Sequence, residues 1–201
     1  MQVRELAIAG AVEFSPTVFP DARGMFVAPY QDTAFRAAIG RSLRVAQTNH
    51  SVSRYGTLRG VHFADVPPGQ AKYVQCPRGS ALDIVVDLRV GSPTFGEHDV
   101  VELDALRMNS IYLAEGLGHA VLALEDHTVL SYLCSTEYNP AAEHGINPLD
   151  PALGLPWPAI EAPVLSDKDR AAPTVAQALD SGLLPDYRAC LRCYDGHTVE
   201  E

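Results

Sequence analysis

Pro77-Arg78-Gly79-Ser80-Ala81-Leu82-Asp83-Ile84-Val85-Val86-Asp87-Leu88 is the stretch whose reading decides the fold. Its first four residues are turn formers, and they join a strand around Tyr73 to Cys76 to a second from Leu82 to Leu88. In that second strand Leu82, Ile84, Val86 and Leu88 fall on one face, and Asp83, Val85 and Asp87 on the other. The same pattern continues outward. Short strands are predicted around Val45 to Ser51, Leu58 to Phe63, Val100 to Leu103, Ser110 to Leu113, His119 to Leu124 and Thr128 to Ser135. Gly and Pro separate them, as in an all-β sandwich or barrel. The opening residues MQVRELAIAG also read as a strand, because Glu5 interrupts what would be the apolar part of a signal peptide. A cytoplasmic location is the expectation that follows.

Helical signal is sparse. Asp32 to Ile39 is predicted as a short helix stopped by Gly40, and Thr174 to Ser181 as another stopped by Gly182. The proline-rich stretch from Asn139 to Pro163 reads as a long ordered loop. No internal repeat or low-complexity segment is present.

At 201 residues, 47% hydrophobic and 20% charged, the chain has the make-up of one folded domain, residues 1–201, with a C-terminal helical extension from about residue 168. No apolar run approaches the roughly twenty residues of a membrane span. The formal net charge of −10 disfavours nucleic acid as a partner, which calls for a basic face. It leaves room for an anionic small molecule, since a few converging arginines can hold a pyrophosphate within an acidic protein. Of four cysteines, Cys76 and Cys134 lie in apolar strand-like stretches and read as buried thiols. Cys190 and Cys193 form a C-x-x-C with only His197 as a further soft ligand nearby, so a helical or frayed tail is the plainer reading.

Three polar clusters stand out. The first is Gln47-Thr48-Asn49-His50-Ser51 with Leu58-Arg59-Gly60-Val61-His62-Phe63. Arg59 and His62 are three apart, so a regular strand would point them to opposite faces; a bulge at Gly60 would bring both to one cavity. The second is Gln70-Ala71-Lys72-Tyr73, whose Gln70 and Lys72 are expected on the face that carries Asp83. The third is Glu115-Gly116-Leu117-Gly118-His119, followed by Tyr132. A lone strand histidine is more often a satisfied core residue than a catalyst, and a strand tyrosine is usually packing. Lys72, set between apolar positions, either reaches out to solvent or is kept inside for a purpose. Arg23 in Asp21-Ala22-Arg23-Gly24 is by default a solvated turn residue.

Ala114 to His119 has the P-x-G-x-x-H outline of a second cupin motif, with Ala114 in place of Pro. A metal-binding cupin also needs an H-x-H pair, and Gly60-Val61-His62-Phe63-Ala64 offers one histidine. Three N/O ligands are hard to assemble, so the barrel is expected to hold no metal.

Together these stretches resemble the dTDP-4-dehydrorhamnose 3,5-epimerase family. The matching pieces are Phe19 to Phe26, Gln47 to Ser53, Leu58 to Phe63, Gln70 to Tyr73, Asp83 to Arg89 and Gly91 to Gly96. They continue through Glu115 to His119, Tyr132 to Tyr138, Asp150-Pro151, Trp157-Pro158 and Leu165 to Asp169. The resemblance implies a cupin-type jelly-roll β-barrel with short peripheral helices, usually a dimer with strands exchanged at its interface. It implies epimerisation of a dTDP-4-keto-6-deoxyhexose at C3 and C5, with no cofactor, because the C4 ketone already acidifies the neighbouring protons.

Carried over by position, His62 is the implied base and Asp169 its orienting partner. Tyr132 is the implied acid on the opposite face of the sugar. Lys72 is expected near the C4 oxygen, where it would stabilise an enolate. Arg23 and Arg59 would grip the pyrophosphate. Gln47, Asn49, His119, Glu143 and Lys168 match nucleotide- or sugar-binding positions. Tyr138 matches an aromatic stacked on thymine, a type of contact worth about 1–3 kcal/mol. Two positions depart from the family: Ala28, where Glu is frequent, and Ala64, where Gln is common. Losing a carboxylate at 28 is expected to unbalance exchange at C3 and C5. The competing readings are an enzyme that inverts one carbon of a 3-amino or deoxy sugar, and a cupin that binds without catalysis. The last would require His62 or Tyr132 to be missing.

Overall fold

The computed structural model describes residues 1–160 and 162–196. In chain order its strands and helices are β1 (Gln2–Glu5), β2 (Ala11–Ser15), β3 (Val18–Asp21), β4 (Gly24–Val27), α1 (Asp32–Ile39), β5 (Gln47–Ser53), β6 (Leu58–Ala64), β7 (Lys72–Arg78) and β8 (Ser80–Val86). They continue as β9 (His98–Asp104), β10 (Ser110–Leu113), β11 (Gly118–Ala123), β12 (Thr128–Cys134), β13 (Glu143–Gly145), α2 (Asp167–Arg170), α3 (Val175–Asp180) and α4 (Tyr187–Gly196). One sheet has the order β1-β2-β10-β7-β12-β5 and the other β13-β6-β11-β8-β9. All the named pairings within them are antiparallel. The sheets pack face to face: Val74, Cys76 and Leu130 of the first share an apolar cluster with Val85 and Val121 of the second. This is the all-β jelly roll the sequence predicts.

Both outer faces of the sandwich are also covered. On the first sheet, Phe35 of α1 packs against Phe14, Tyr73 and Tyr112 with ring centroids 5.0–6.0 Å apart. On the second, Val61, Phe63, Ile84, Val86 and Ala120 meet Ile146, Leu153, Ala178 and Leu184 from the C-terminal third. The C-terminal helices therefore complete the core. Asp83, on the other face of β8 with Val85, is fully buried between the two sheets, and Asp87 is fully buried in its pair with Arg89.

Local signals placed the helices. Gly40 ends α1 in the left-handed region at φ 86°, and Thr174 caps α3 through a capping box with Gln177. The stretch from Asn139 to Pro163 is more ordered than expected. It contains β13 and a 3-10 turn at Pro151–Leu153, capped by the Asp150 side chain.

Three expectations need correction. The strand expected to run to Leu88 ends at Val86; Asp87 still exchanges backbone bonds with Gly96 and Glu97, and its side chain binds Arg89, Ser92 and Thr94 where the chain turns. Lys72 and Asp83 do not share a sheet face: β7 and β8 belong to different sheets and look at each other across the interior. The N-terminal segment, which the sequence leaves as a strand with little else to pair with, finds a partner in its own chain, since β1 pairs with β2. A self-contained hairpin is found instead at β3–β4, a two-stranded sheet of its own that exposes Phe19, Met25 and Phe26.

The C-x-x-C lies on α4. Cys190 is buried against Gly116 and Arg89, and burial pushes its thiol up to about 12, so its setting is that of a packed core residue. His197 lies outside the described residues.

Candidate active site

The site begins with an irregularity in β6. His119 of β11 stands opposite His62, while Val121 stands opposite Arg59, so β6 carries one extra residue between them. Gly60 accommodates it at φ 116°, where an added Cβ would come within 2.4 Å of the His119 carbonyl oxygen. The bulge predicted from sequence is therefore present, and Arg59 and His62 line one pocket of about 450 Å³. Tyr138, Glu143, Lys168 and Asp169 complete much of its wall.

Asp169 arrives from far along the chain. Ser166 caps α2 by accepting from the Asp169 N–H, and this turn holds the carboxylate at His62, with Nε2 to Oδ1 at 2.6 Å. Burial raises the affinity of Asp169 for its proton. The bond and charge of His62, the Ser166 side chain and the Gly60 backbone outweigh it and hold the carboxyl below its ordinary range. An ionised Asp169 accepts a hydrogen bond from the His62 Nε2–H, which leaves Nδ1 as the free base position.

Across the interior, β12 and β7 carry Tyr132 and Lys72. Burial pushes the Tyr132 phenol up, with Cys134 and Glu143 adding to the effect and Arg59 and Asn49 opposing it. Tyr132 is thereby kept protonated. Burial pushes the Lys72 ammonium down, against the pull of Glu143, Cys134 and Asp83. Glu143 of the pocket wall acts on both groups, which ties them to the same space as His62.

Gln47 and Asn49 stand beside Tyr132 on β5 and are already engaged. Gln47 accepts from the Tyr138 N–H at 2.8 Å and donates to Asn49 Oδ1 at 2.7 Å. Arg59 is aimed by Ser53, whose Oγ accepts from its Nε at 3.1 Å.

Arg23 is not brought to this pocket within the single chain. It sits at the β3–β4 hairpin with its side chain 89% exposed and paired with Asp21 at 2.6 Å. Glu115, part of the third polar cluster, is also elsewhere: it binds Arg41 at 2.7 Å.

Asp83, which was not among the candidate site residues, is fully buried and pairs with one of them. Its Oδ2 holds His119 Nε2 at 2.8 Å, and its Oδ1 is buried with no hydrogen-bond partner. The available signal was a carboxylate in an otherwise apolar strand, where burial is costly unless the group is used. Among the described residues, no group of three or more His, Cys, Asp or Glu side chains is arranged to hold a metal.

The geometry offers a histidine paired with a carboxylate on the pocket wall and, on the facing sheet, a protonated phenol and a half-buried lysine that both feel Glu143 of that wall. Such a set can remove a proton from one face of a bound carbon acid and return one to the other face.

Similarity to known proteins agrees with that chemistry. The chain is 51% identical over 194 residues to a dTDP-4-dehydrorhamnose 3,5-epimerase of Mycobacterium tuberculosis, covering 96% of each. It is 50% identical over 190 residues to a dTDP-4-dehydrorhamnose 3-epimerase of Streptomyces niveus, covering 94% of this chain and 91% of that one. Its structure matches ChmJ, a 3'-monoepimerase from Streptomyces bikiniensis in complex with dTDP-quinovose, with a TM-score of 0.94 and 48% identity over 97% of this chain and 98% of that one. Residues 5–177 match the family described as dTDP-4-dehydrorhamnose 3,5-epimerase, and the chain belongs to that family.

Proposed function

We propose that the protein inverts C3, and more slowly C5, of a dTDP-4-keto-6-deoxyhexose by removing and returning protons beside the ketone. The observation that carries this reading is the 2.6 Å His62–Asp169 pair on the pocket wall. His62 Nδ1 takes the proton from carbon, and the C–H electron pair moves into the C4 oxygen as an enolate. The Lys72 ammonium stabilises that developing charge. Tyr132, on the facing sheet, gives its proton to the other face of the carbon. His62 then releases its proton to solvent and Tyr132 recovers one, which closes the cycle with no redox change.

Tyr138, Arg59, Lys168, Gln47, Asn49, His119 and Glu143 are assigned to holding the nucleotide and sugar. The test is solvent deuterium wash-in on dTDP-4-keto-6-deoxyglucose, read by NMR. Deuterium at C3 ahead of C5 is expected. Exchange at neither carbon would refute the reaction. Relatives of equal identity carry both 3-epimerase and 3,5-epimerase names, so C3 is the carbon they have in common.

The exposed β3–β4 hairpin supports a homodimer in which Arg23 reaches the pyrophosphate in the pocket of a second copy. Phe26 is 66% exposed on that hairpin, and β5 is the edge of its sheet. Light scattering should give twice the chain mass at micromolar concentration. A monomer would remove Arg23 from the site.

A further inference from the structure

Between β12 and β13 the chain crosses from one sheet to the other and carries Tyr138 and Glu143 to the pocket. None of residues 135 to 145 belongs to an apolar core cluster. Beneath them lies a hollow of about 160 Å³, lined by Asp65, Gln70, Thr136, Asn139, Ala142 and Glu143 among others. β13 is an edge strand with β6 as its one neighbour. Its order therefore rests on hydrogen bonds.

Two of those bonds converge on Asp65, the residue that follows β6. The Asp65 N–H donates to the Ala142 carbonyl at 2.9 Å. The Asp65 carboxylate lies 2.7 Å from His144 Nε2. Glu143 is the residue between those two anchors. Strand alternation turns Glu143 and His144 to opposite faces, so His144 is held from behind the site. Its ring is tilted against Phe63, with centroids 5.5 Å apart.

We propose that Asp65 clamps the segment on either side of Glu143, and that Asp65 and His144 are a positioning pair that sets Glu143 and Tyr138 against the bound nucleotide sugar. Neither Asp65 nor His144 is bonded to a proton-transfer group, and the clamp reaches those groups only through the placement of Glu143, so its main effect is on binding. It rests on the proposed function for what is bound, but its effect on the free protein can be measured without any ligand.

The experiment uses the full chain with Asp65→Ala, His144→Ala and the double variant. Amide hydrogen exchange across residues 139–146 should quicken in all three. dTDP affinity by calorimetry should fall about 3- to 10-fold, the range of one net hydrogen bond, and KM should rise in step while kcat holds within about two-fold. The double variant should lose no more than either single one, because each breaks the same bond. Asp65→Asn keeps an acceptor oxygen and should recover much of the loss, which also guards against a fold defect in the alanine variants. Unchanged exchange and unchanged dTDP affinity would overturn the clamp, as would losses that add in the double variant or fall on kcat alone. A wild-type protein that leaves C3 and C5 unexchanged would refute the reaction instead, and the hydrogen-exchange arm would still decide the clamp.

Discussion

Two charge clusters in this molecule use similar side chains for opposite ends. In the first, Asp87 and Arg89 are both 0% exposed and paired at 2.7 Å. Every strong valence there is filled: Ser92 and Thr94 donate to Asp87, Arg89 donates to the Tyr194 hydroxyl, and Tyr194 donates to the Glu115 carbonyl. Arg89 also lies over the Tyr187 ring, so the cluster fastens α4 to the barrel. None of these residues lines the pocket of His62. The second cluster surrounds the proposed site, and it keeps spare capacity. Asp83 Oδ1 has no partner, and the half-buried Lys72 is desolvated at a cost to its charge. Saturated polar groups hold a fold together, whereas buried groups with spare capacity are available to a ligand.

The sharpest way to break this contrast is to exchange the consequences of two substitutions. His62→Ala should reduce deuterium exchange about a thousand-fold, the middle of the range for a general base, while the melting temperature stays near wild type. Asp87→Asn should do the reverse. Leaving a buried Arg89 without its counter-charge should cost about 3–5 kcal/mol of stability in chemical denaturation, with turnover preserved in the fraction that remains folded. If His62→Ala melts the protein, or Asp87→Asn leaves its stability intact, the division into a holding cluster and a working cluster is wrong.

Lys72 sharpens the comparison with a smaller effect of opposite sign. Its pKa in the folded chain is lowered, mainly by burial. Between that value and its ordinary one near 10.4 the unfolded chain binds more protons, so this group's contribution to stability rises with pH across that window. Lys72→Met should remove the rise and stabilise the fold at neutral pH by about 1 kcal/mol, while abolishing turnover. The wild-type rate should also decline on the alkaline side before ordinary lysine titrates, as the ammonium that steadies the enolate loses its proton. A destabilised Lys72→Met protein, or one that still turns over, would remove Lys72 from the working cluster.

The smallest effect is expected at Ala28, just beyond β4. A carboxylate restored by Ala28→Glu should shift the ratio of C3 to C5 exchange toward unity by a few-fold at most, about 1 kcal/mol or less. Equal and fast exchange at both carbons in the unaltered protein would show that position 28 does not set the balance.

Much of this protein was legible in its sequence because the relevant physics is local. Alternation over Leu82 to Val86, the turn at Gly79 and the stops at Gly40 and Gly182 depend on neighbouring residues, and these features were found where periodicity and turn chemistry put them. Even the bulge that brings Arg59 and His62 together followed from spacing and one glycine. The tertiary structure decided what distance along the chain conceals. It set Asp169 beside His62 across 107 residues, a pairing the sequence offered only through the family resemblance, faced β7 toward β8 from different sheets, and separated Glu115 from His119 although the two are four residues apart. It also decided which acids are saturated and which are not. Asp83 and Asp87 are alike in sequence, on the same face of the same apolar run, and only the neighbours folded around them fill the valences of one and leave an oxygen of the other free.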